Sequence, residues 1–507
     1  MTRLGFLLDS DSCIGCHACT VACKSEHDVP LGVNRTWVKY IETGEFPNSA
    51  RHFSVMRCNH CDDAPCMTIC PTTALFRSKN GVVDFDDSRC IGCKGCMNAC
   101  PYDAIYINPE TNTAHKCNFC NHRIEVGLEP SCVVVCPTQA IQVADLDDPS
   151  NQATRIIGRD DVAVRAPEQN TNPKVYYRGA DQASLDPLRT RIADDGMIWA
   201  DTTADHPTVP TGADDRGVVA RTAYTTTHPM TWKGKVSGYL VTKAIGAGAM
   251  LVAALLVLMG HAQEQAAVGV VPPMVAGVFT AITGVLLIAD LKQPKRFHYI
   301  LTKGNPSSWL VRGAWILSAY AIALALWWIG GLGESTALLA VLAIPAAILA
   351  AATAGYTAFL FAQCEGRDLW QSPLLLPMLL AQAAAAGGAT FLLLDVVMDI
   401  PEITAIRWVA LGGLVATLAL VTIELTGRHS RHVELAVHAM THGEYRSRFW
   451  TGVVGGMIAP VALLIVALAA GGDAGVALGA VAAVLALVGM WFYEDSYVRA
   501  GQSVPLS

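Results

Sequence analysis

The second half of this chain has little charge and almost no cysteine, while the first half lacks any long apolar run. Sixteen of the seventeen cysteines lie between Cys13 and Cys136, and only Cys364 lies beyond them. No basic, aromatic-interleaved patch is present, so the sequence predicts no nucleic-acid partner; the net charge of −7 decides nothing by itself. The start, MTRLGFLLDSDSCIGC, has no room for a signal peptide's apolar core and no twin arginine, so it predicts no export. The cysteines are too closely spaced for the disulfide framework of a small secreted domain. Histidines are missing from the interiors of the apolar runs: His261, His298, His429, His432, His438 and His442 fall in or beside expected loops. A b-haem needs histidines inside the spans, so no haem is expected.

What is present is a repeated cysteine run. Cys90, Cys93, Cys96 and Cys100 are spaced C-x2-C-x2-C-x3-C and followed by Pro101, the pattern by which bacterial ferredoxins hold a [4Fe–4S] cluster. Three close thiolates take three corners of one cubane, and the fourth is thrown outward to a neighbouring cluster. Such runs therefore work in pairs. Three more follow the same plan: Cys13, Cys16, Cys19, Cys23; Cys58, Cys61, Cys66, Cys70; and Cys117, Cys120, Cys132, Cys136. All four share the closing C-x3-C, which a structural zinc site, built from CxxC pairs across a longer loop, does not require. The repeat does not say which runs pair. It predicts an α+β ferredoxin-like domain of two bi-cluster units with four [4Fe–4S] clusters.

From Val236 onward eight apolar stretches are each long enough to cross a bilayer, near 237–260, 267–290, 309–330, 336–362, 372–395, 404–426, 450–470 and 474–493. The expected architecture is an iron–sulfur domain over 1–195, a linker over 196–231 and an all-α eight-helix membrane domain over 232–507. Lys292, Lys295, Arg296, Lys303, Arg367, Arg428, Arg431, Arg446 and Arg448 fall in loops on the side of the chain ends, and almost only Arg407 falls opposite. The positive-inside rule then places the iron–sulfur domain and both termini in the cytoplasm.

The four-run pattern resembles the four-cluster subunit of molybdopterin oxidoreductases such as dimethyl sulfoxide, polysulfide and nitrate reductases, over roughly 1–195. That resemblance implies cross-pairing: Cys13, Cys16 and Cys19 with Cys136; Cys117, Cys120 and Cys132 with Cys23; Cys58, Cys61 and Cys66 with Cys100; Cys90, Cys93 and Cys96 with Cys70. The phrases GYLVTKAIGAGAM (238–250), LLIADLKQPKRFHYIL (286–301), NPSSWLVRGAWILSAY (305–320) and GEYRSRFWTGVVGGMIAP (443–460) resemble the NrfD/polysulfide-reductase type of quinone-reactive anchor. It implies exchange of electrons with menaquinone or ubiquinone. Ionisable groups at membrane depth are costly and mark function, so Tyr239 and Lys243, one helical turn apart, and Asp290 with Arg312, read as an ion pair, are the candidate quinone-site residues. No segment could form a pterin-binding catalytic domain. The chain is expected to be the non-catalytic electron-transfer and anchor subunit of a respiratory complex with a large molybdopterin partner, a sulfite dehydrogenase leading by analogy. A hydrogenase module and a redox-driven ion-translocating module are the alternatives, the latter weakened by how few acids interrupt the spans.

Overall fold

The computed structural model of the chain describes residues 2–192, 198–199, 220–226 and 229–507. Most of the expected linker, 196–231, lies outside them. The N-terminal domain is α+β. Strand β1 (Leu4–Asp9) carries the apolar run GFLL, buried throughout, and this sequence needs neighbours on both edges. It finds them in a sheet ordered β4-β1-β6-β5, with β4 at Ile141–Asp145, β5 at Val162–Ala163 and β6 at Val175–Arg178. A second sheet rests on the hairpin of β2 (Thr36–Glu45) and β3 (Asn48–Arg57), in register from Thr36↔Arg57 to Glu45↔Asn48.

Two segments beyond the last cysteine run are folded into these sheets. Between 145 and 195 lie a helix at Gln152–Arg159, started by the Asn151 side chain accepting from Thr154 N–H, and strands β5 and β6. Strand β7 (Ala220–Thr225), inside the expected linker, pairs antiparallel with β2 through Ala220↔Thr43. Strands this short leave too little periodicity to read, yet pairing satisfies their backbone groups.

Eight helices are long and apolar enough to span a membrane: α1 Gly234–Leu258, α2 Gln265–Asp290, α3 Trp309–Leu332, α4 Thr336–Ala362, α5 Leu375–Leu394, α6 Ile403–Thr426, α7 Arg446–Ala470 and α8 Gly472–Ser503. They lie close to the expected spans, except that α8 runs on past 493 to Ser503. The charged residues that ended the apolar reading are compensated inside the bundle. Asp495, fully buried, accepts from Ser237 Oγ (3.0 Å) and Arg499 Nε (2.8 Å) and pairs with Arg448. The stretch after α6 forms a surface helix, Arg431–Thr441, with Ala436, Ala439 and Met440 on its buried face.

Small residues let α1 and α5 approach closely, as membrane helices do without a hydrophobic driving force. A Cβ on Gly248 would collide with the backbone of Ala383 and Gly387. Gly248→Ala is expected to cost about 1–3 kcal/mol, read as a lower thermal midpoint in detergent; an unchanged midpoint would mean the helices can separate freely. Below the bundle, Ile69 and Tyr102 of the cysteine-rich domain share one continuous core with Trp232, Phe361, Trp370 and Tyr493 of the membrane half.

Candidate electron-transfer site and membrane pocket

None of the cysteines is in a disulfide. Their thiols gather into four sets, visible in which sulfurs act on one another. Cys13 is next to Cys16 and Cys136, and Cys19 next to Cys13. Cys23 stands with Cys117, Cys120 and Cys132. Cys66 and Cys100 stand with Cys58 and Cys61. Cys70 stands with Cys90, Cys93 and Cys96. The sets are in series, because Cys19 lies within electrostatic reach of Cys132, Cys117 of Cys58, and Cys96 of Cys66. At one end Cys16 is exposed; at the other Cys93 faces the membrane helices.

The donor chemistry fits iron–sulfur clusters. Burial pushes the thiols of Cys93, Cys100 and Cys117 up to about 12, so as free thiols they would stay protonated, whereas ligation to iron removes the proton. Backbone N–H groups of His60, Ala114 and Ala140 point at Cys58, Cys90 and Cys136 Sγ at 3.5, 3.3 and 3.2 Å. The loops curl through left-handed residues at equivalent places, Gly15 and His17 in the first run and Gly92 and Lys94 in the third. Among the described residues no three His, Cys, Asp or Glu side chains stand close enough to share a single metal ion, the arrangement a structural zinc needs. When bound, clusters supply one-electron transfer at potentials set by nearby charge and hydrogen bonds.

Arg57 is one such charge. It is fully buried over the Phe6 ring (4.2 Å) and donates to Cys132 Sγ (3.4 Å) and Thr36 Oγ1 (3.3 Å). Arg57→Met is expected to lower the potential of the centre at Cys132 by something on the order of tens of millivolts, measured by redox titration of its paramagnetic signal. An unaltered set of potentials would remove Arg57 from the tuning.

The membrane half grips the last cysteine set directly. Lys292 and Gln293 N–H donate to the carbonyls of Gly92 and Ile91 at 3.1 Å each. Asn305 N–H donates to Pro71 O (2.8 Å), and Ser308 Oγ to Ile69 O (2.7 Å). Arg296 reaches Cys90 O (2.9 Å). Behind these contacts opens a largely apolar pocket of about 290 Å³, near the lower end of small-ligand cavities, roughly 300–1,000 Å³. Its inner wall is Cys93, Trp232, Tyr239, Tyr356 and Asp290, and its outer wall includes Leu301 and Ser318, exposed on the side of the bundle between α2 and α3.

Of the candidate residues, Tyr239 and Asp290 line this pocket; Lys243 and Arg312 do not. Lys243 lies one layer behind, its ammonium 4.6 Å from the Tyr356 ring centroid and 5.8 Å from that of Tyr239. The expected Asp290–Arg312 ion pair is absent. Asp290 pairs instead with Lys94 Nζ at 2.8 Å, a residue of the third cysteine run, and Arg312 donates to Pro306 O (2.7 Å) and lies over Trp309. Packing of the two domains brings Lys94 closer than any basic residue of the loops.

Comparison with known proteins follows the two halves. A family profile described as 4Fe-4S dicluster domain matches residues 50–146, and one described as polysulphide reductase, NrfD matches residues 223–504, more than half of the chain. The chain belongs to the NrfD polysulphide reductase family. Its N-terminal part is 43% identical over 193 residues to a subunit of the tetrathionate reductase of Salmonella typhimurium, covering 37% of this chain and 77% of that protein. It is 45% identical over 175 residues to the thiosulfate reductase electron transfer subunit PhsB of Salmonella typhi, 34% of this chain and 90% of that one. Protein NrfC of Escherichia coli K12 is 40% identical over 177 residues, 34% of this chain and 79% of its own length. The chain is thus an iron–sulfur electron-transfer unit fused to an NrfD membrane domain, and a multi-pass membrane protein of an oxidoreductase complex.

Three residues of this NrfD fusion escaped the sequence reading. Trp232 donates its indole N–H to Cys93 O (3.1 Å) and packs against the stacked pair of Phe361 and Trp370, with centroids 5.7 and 5.5 Å away. Gln502 clamps it, Oε1 accepting from Trp232 N–H (2.9 Å) and Nε2 donating to Trp232 O (2.7 Å). Glu494 is buried opposite Lys243. Only Glu494 left a signal, the acidic YEDSY phrase at the end of an apolar run. Cys364, the remaining cysteine, is buried and its thiol points at Leu360 O (3.7 Å).

Proposed function

We propose that this protein carries electrons between a membrane quinone in the pocket and a separate catalytic subunit, along four [4Fe–4S] clusters held by the four cysteine sets. One observation carries the reading: the buried end of the cysteine series and an apolar, side-opening membrane pocket share Cys93 as a wall. A ring entering from the bilayer would lie against the last set, with Tyr239, Tyr356 and Asp290 offering polar contacts to its oxygens. Menaquinone and ubiquinone both meet that description. The exposed end, at Cys16, is where a catalytic partner would draw or deliver electrons. The partner we propose is a large molybdopterin subunit acting on a sulfur oxyanion, with sulfite the leading substrate; the tetrathionate and thiosulfate enzymes among the relatives support the substrate class. The loop charges on the side of the iron–sulfur domain support a cytoplasmic placement of that domain and both termini. The domain division we propose ends the cluster domain near 195 and begins the membrane anchor at 232, with β7 returning to the first domain's second sheet.

The test is to purify the chain from membranes in mild detergent and assay its companions for molybdenum, tungsten and nickel. A large co-purifying chain with molybdenum or tungsten is expected. Nickel would instead make the chain a hydrogenase module.

A further inference from the structure

Deep in the bundle, five polar side chains from four helices meet where only apolar residues would be expected. They are Lys243 of α1, Thr353 and Thr357 of α4, Gln382 of α5 and Glu494 of α8, each 3% exposed or less. Lys243 donates to Thr357 Oγ1 and interacts electrostatically with Glu494. The amide of Gln382 faces the Glu494 carboxylate, yet its Nε2 closes no hydrogen bond, and Thr353 Oγ1, one turn from Thr357 on the same helix, has no partner either. Buried donors left open in this way call for water. A plain structural ion pair needs neither of them.

Two features give the cluster a direction. Toward the pocket, Tyr239 and Tyr356 have one side in the pocket wall and the other against the Lys243 ammonium. Away from it, Tyr493 and Tyr497 lie between Glu494 and a second carboxylate, Glu424 of α6, which accepts from Ser372 Oγ (2.6 Å) at the end of the bundle nearest the iron–sulfur domain. The titratable groups facing the pair are therefore Tyr239, Tyr356, Tyr493, Tyr497 and Glu424.

We propose that Lys243 and Glu494 form a hydrated proton-exchange site serving the pocket from behind its two tyrosines. The inference rests on the quinone reading above and adds the proton partner that reading leaves unassigned. In quinol oxidation the Glu494 carboxylate takes up the two protons one after the other, an O–H bond forming there each time a quinol O–H bond breaks. Both electrons pass singly to the iron–sulfur centre beside Cys93, which is the oxidant. The Lys243 ammonium keeps the site's carboxylate form stable at this depth, and each proton leaves by Glu424 before the next arrives. Quinone reduction runs the same steps backward.

The experiment uses the full chain in detergent and short-chain quinol analogues of the benzoquinone and naphthoquinone classes, with visible bleaching of the clusters as the readout. Glu494→Gln is expected to slow bleaching at saturating quinol on the order of a hundredfold, with the half-saturating quinol concentration and dithionite bleaching unchanged, and Glu494→Asp is expected to recover most of the rate. The double variant Lys243→Met with Glu494→Gln removes both charges together and is expected to stay slow. It also carries the comparison should the single variant fail to assemble. Recovery of the wild-type rate in the double variant would reduce the pair to a structural one and overturn the proposal. So would an unchanged rate in Glu494→Gln, or an effect confined to the half-saturating concentration. If wild-type protein is itself not bleached by quinol, the quinone reading fails first and takes this inference with it.

Discussion

Cys70→Ala is expected to remove the cluster of the third cysteine run, not that of the run Cys70 belongs to. Cys70 stands with Cys90, Cys93 and Cys96, while Cys58, Cys61 and Cys66 stand with Cys100. Iron should fall by about four atoms of roughly sixteen per chain, and quinol should no longer reduce the remaining clusters quickly, because the lost one is the centre beside the pocket. Cys100→Ala should lose the same amount of iron yet keep a fast quinol-reducible signal from the centre nearest the pocket. Iron analysis with paramagnetic resonance of both variants checks this. The opposite assignment, with Cys100→Ala abolishing the fast phase and Cys70→Ala keeping it, would mean that each run closes on itself.

The second large effect is expected at the seam between the halves. Lys94 and Asp290 form an ion pair in which both side chains are largely buried, 8% and 16% exposed. Lys94 sits directly after Cys93, and Asp290 ends α2 in the pocket wall. Lys94→Glu puts two carboxylates in contact there and should push the third cysteine run away from the pocket. Displacements of an ångström between reacting groups can cost on the order of a hundredfold in rate, and a loss of that size is expected in quinol-driven reduction with cluster content intact. Adding Asp290→Lys restores an opposite-charge pair, so the reversed double variant should regain much of the rate. Equal rates in Lys94→Glu and the wild type would show that the pair does not hold the seam.

The contrast between these two sites shows what the sequence makes legible. Cysteine spacing within a run is local, so the four repeated runs stand out in the sequence, and a span of about 20 apolar residues is likewise a local signal. The Lys94–Asp290 pair joins residues far apart in sequence, and its formation depends on one domain docking on another. Reading along the chain pointed instead to Arg312, which opens the next span on the same side. Glu494 and Asp495 were lost for a related reason. An apolar window stops at charge, but here Lys243, Arg448, Arg499 and Ser237 supply the partners that let the helix carry its acids to Ser503. Trp232 lay beside a stretch read as linker, and nothing in its neighbours announces a hydrogen bond to Cys93.

The central claim is that electrons enter or leave the cysteine series through the pocket at Cys93, and Gly284 offers the most direct way to test it. Gly284 lines the pocket, and a side chain started there meets nothing within 4 Å, so Gly284→Trp should fill the cavity without disturbing the helices. Reduced quinol added anaerobically to the purified chain should bleach the clusters of the wild type and leave those of Gly284→Trp oxidised, while dithionite bleaches both to the same extent. Equal bleaching of the two proteins by quinol would mean that electrons reach the clusters by another door.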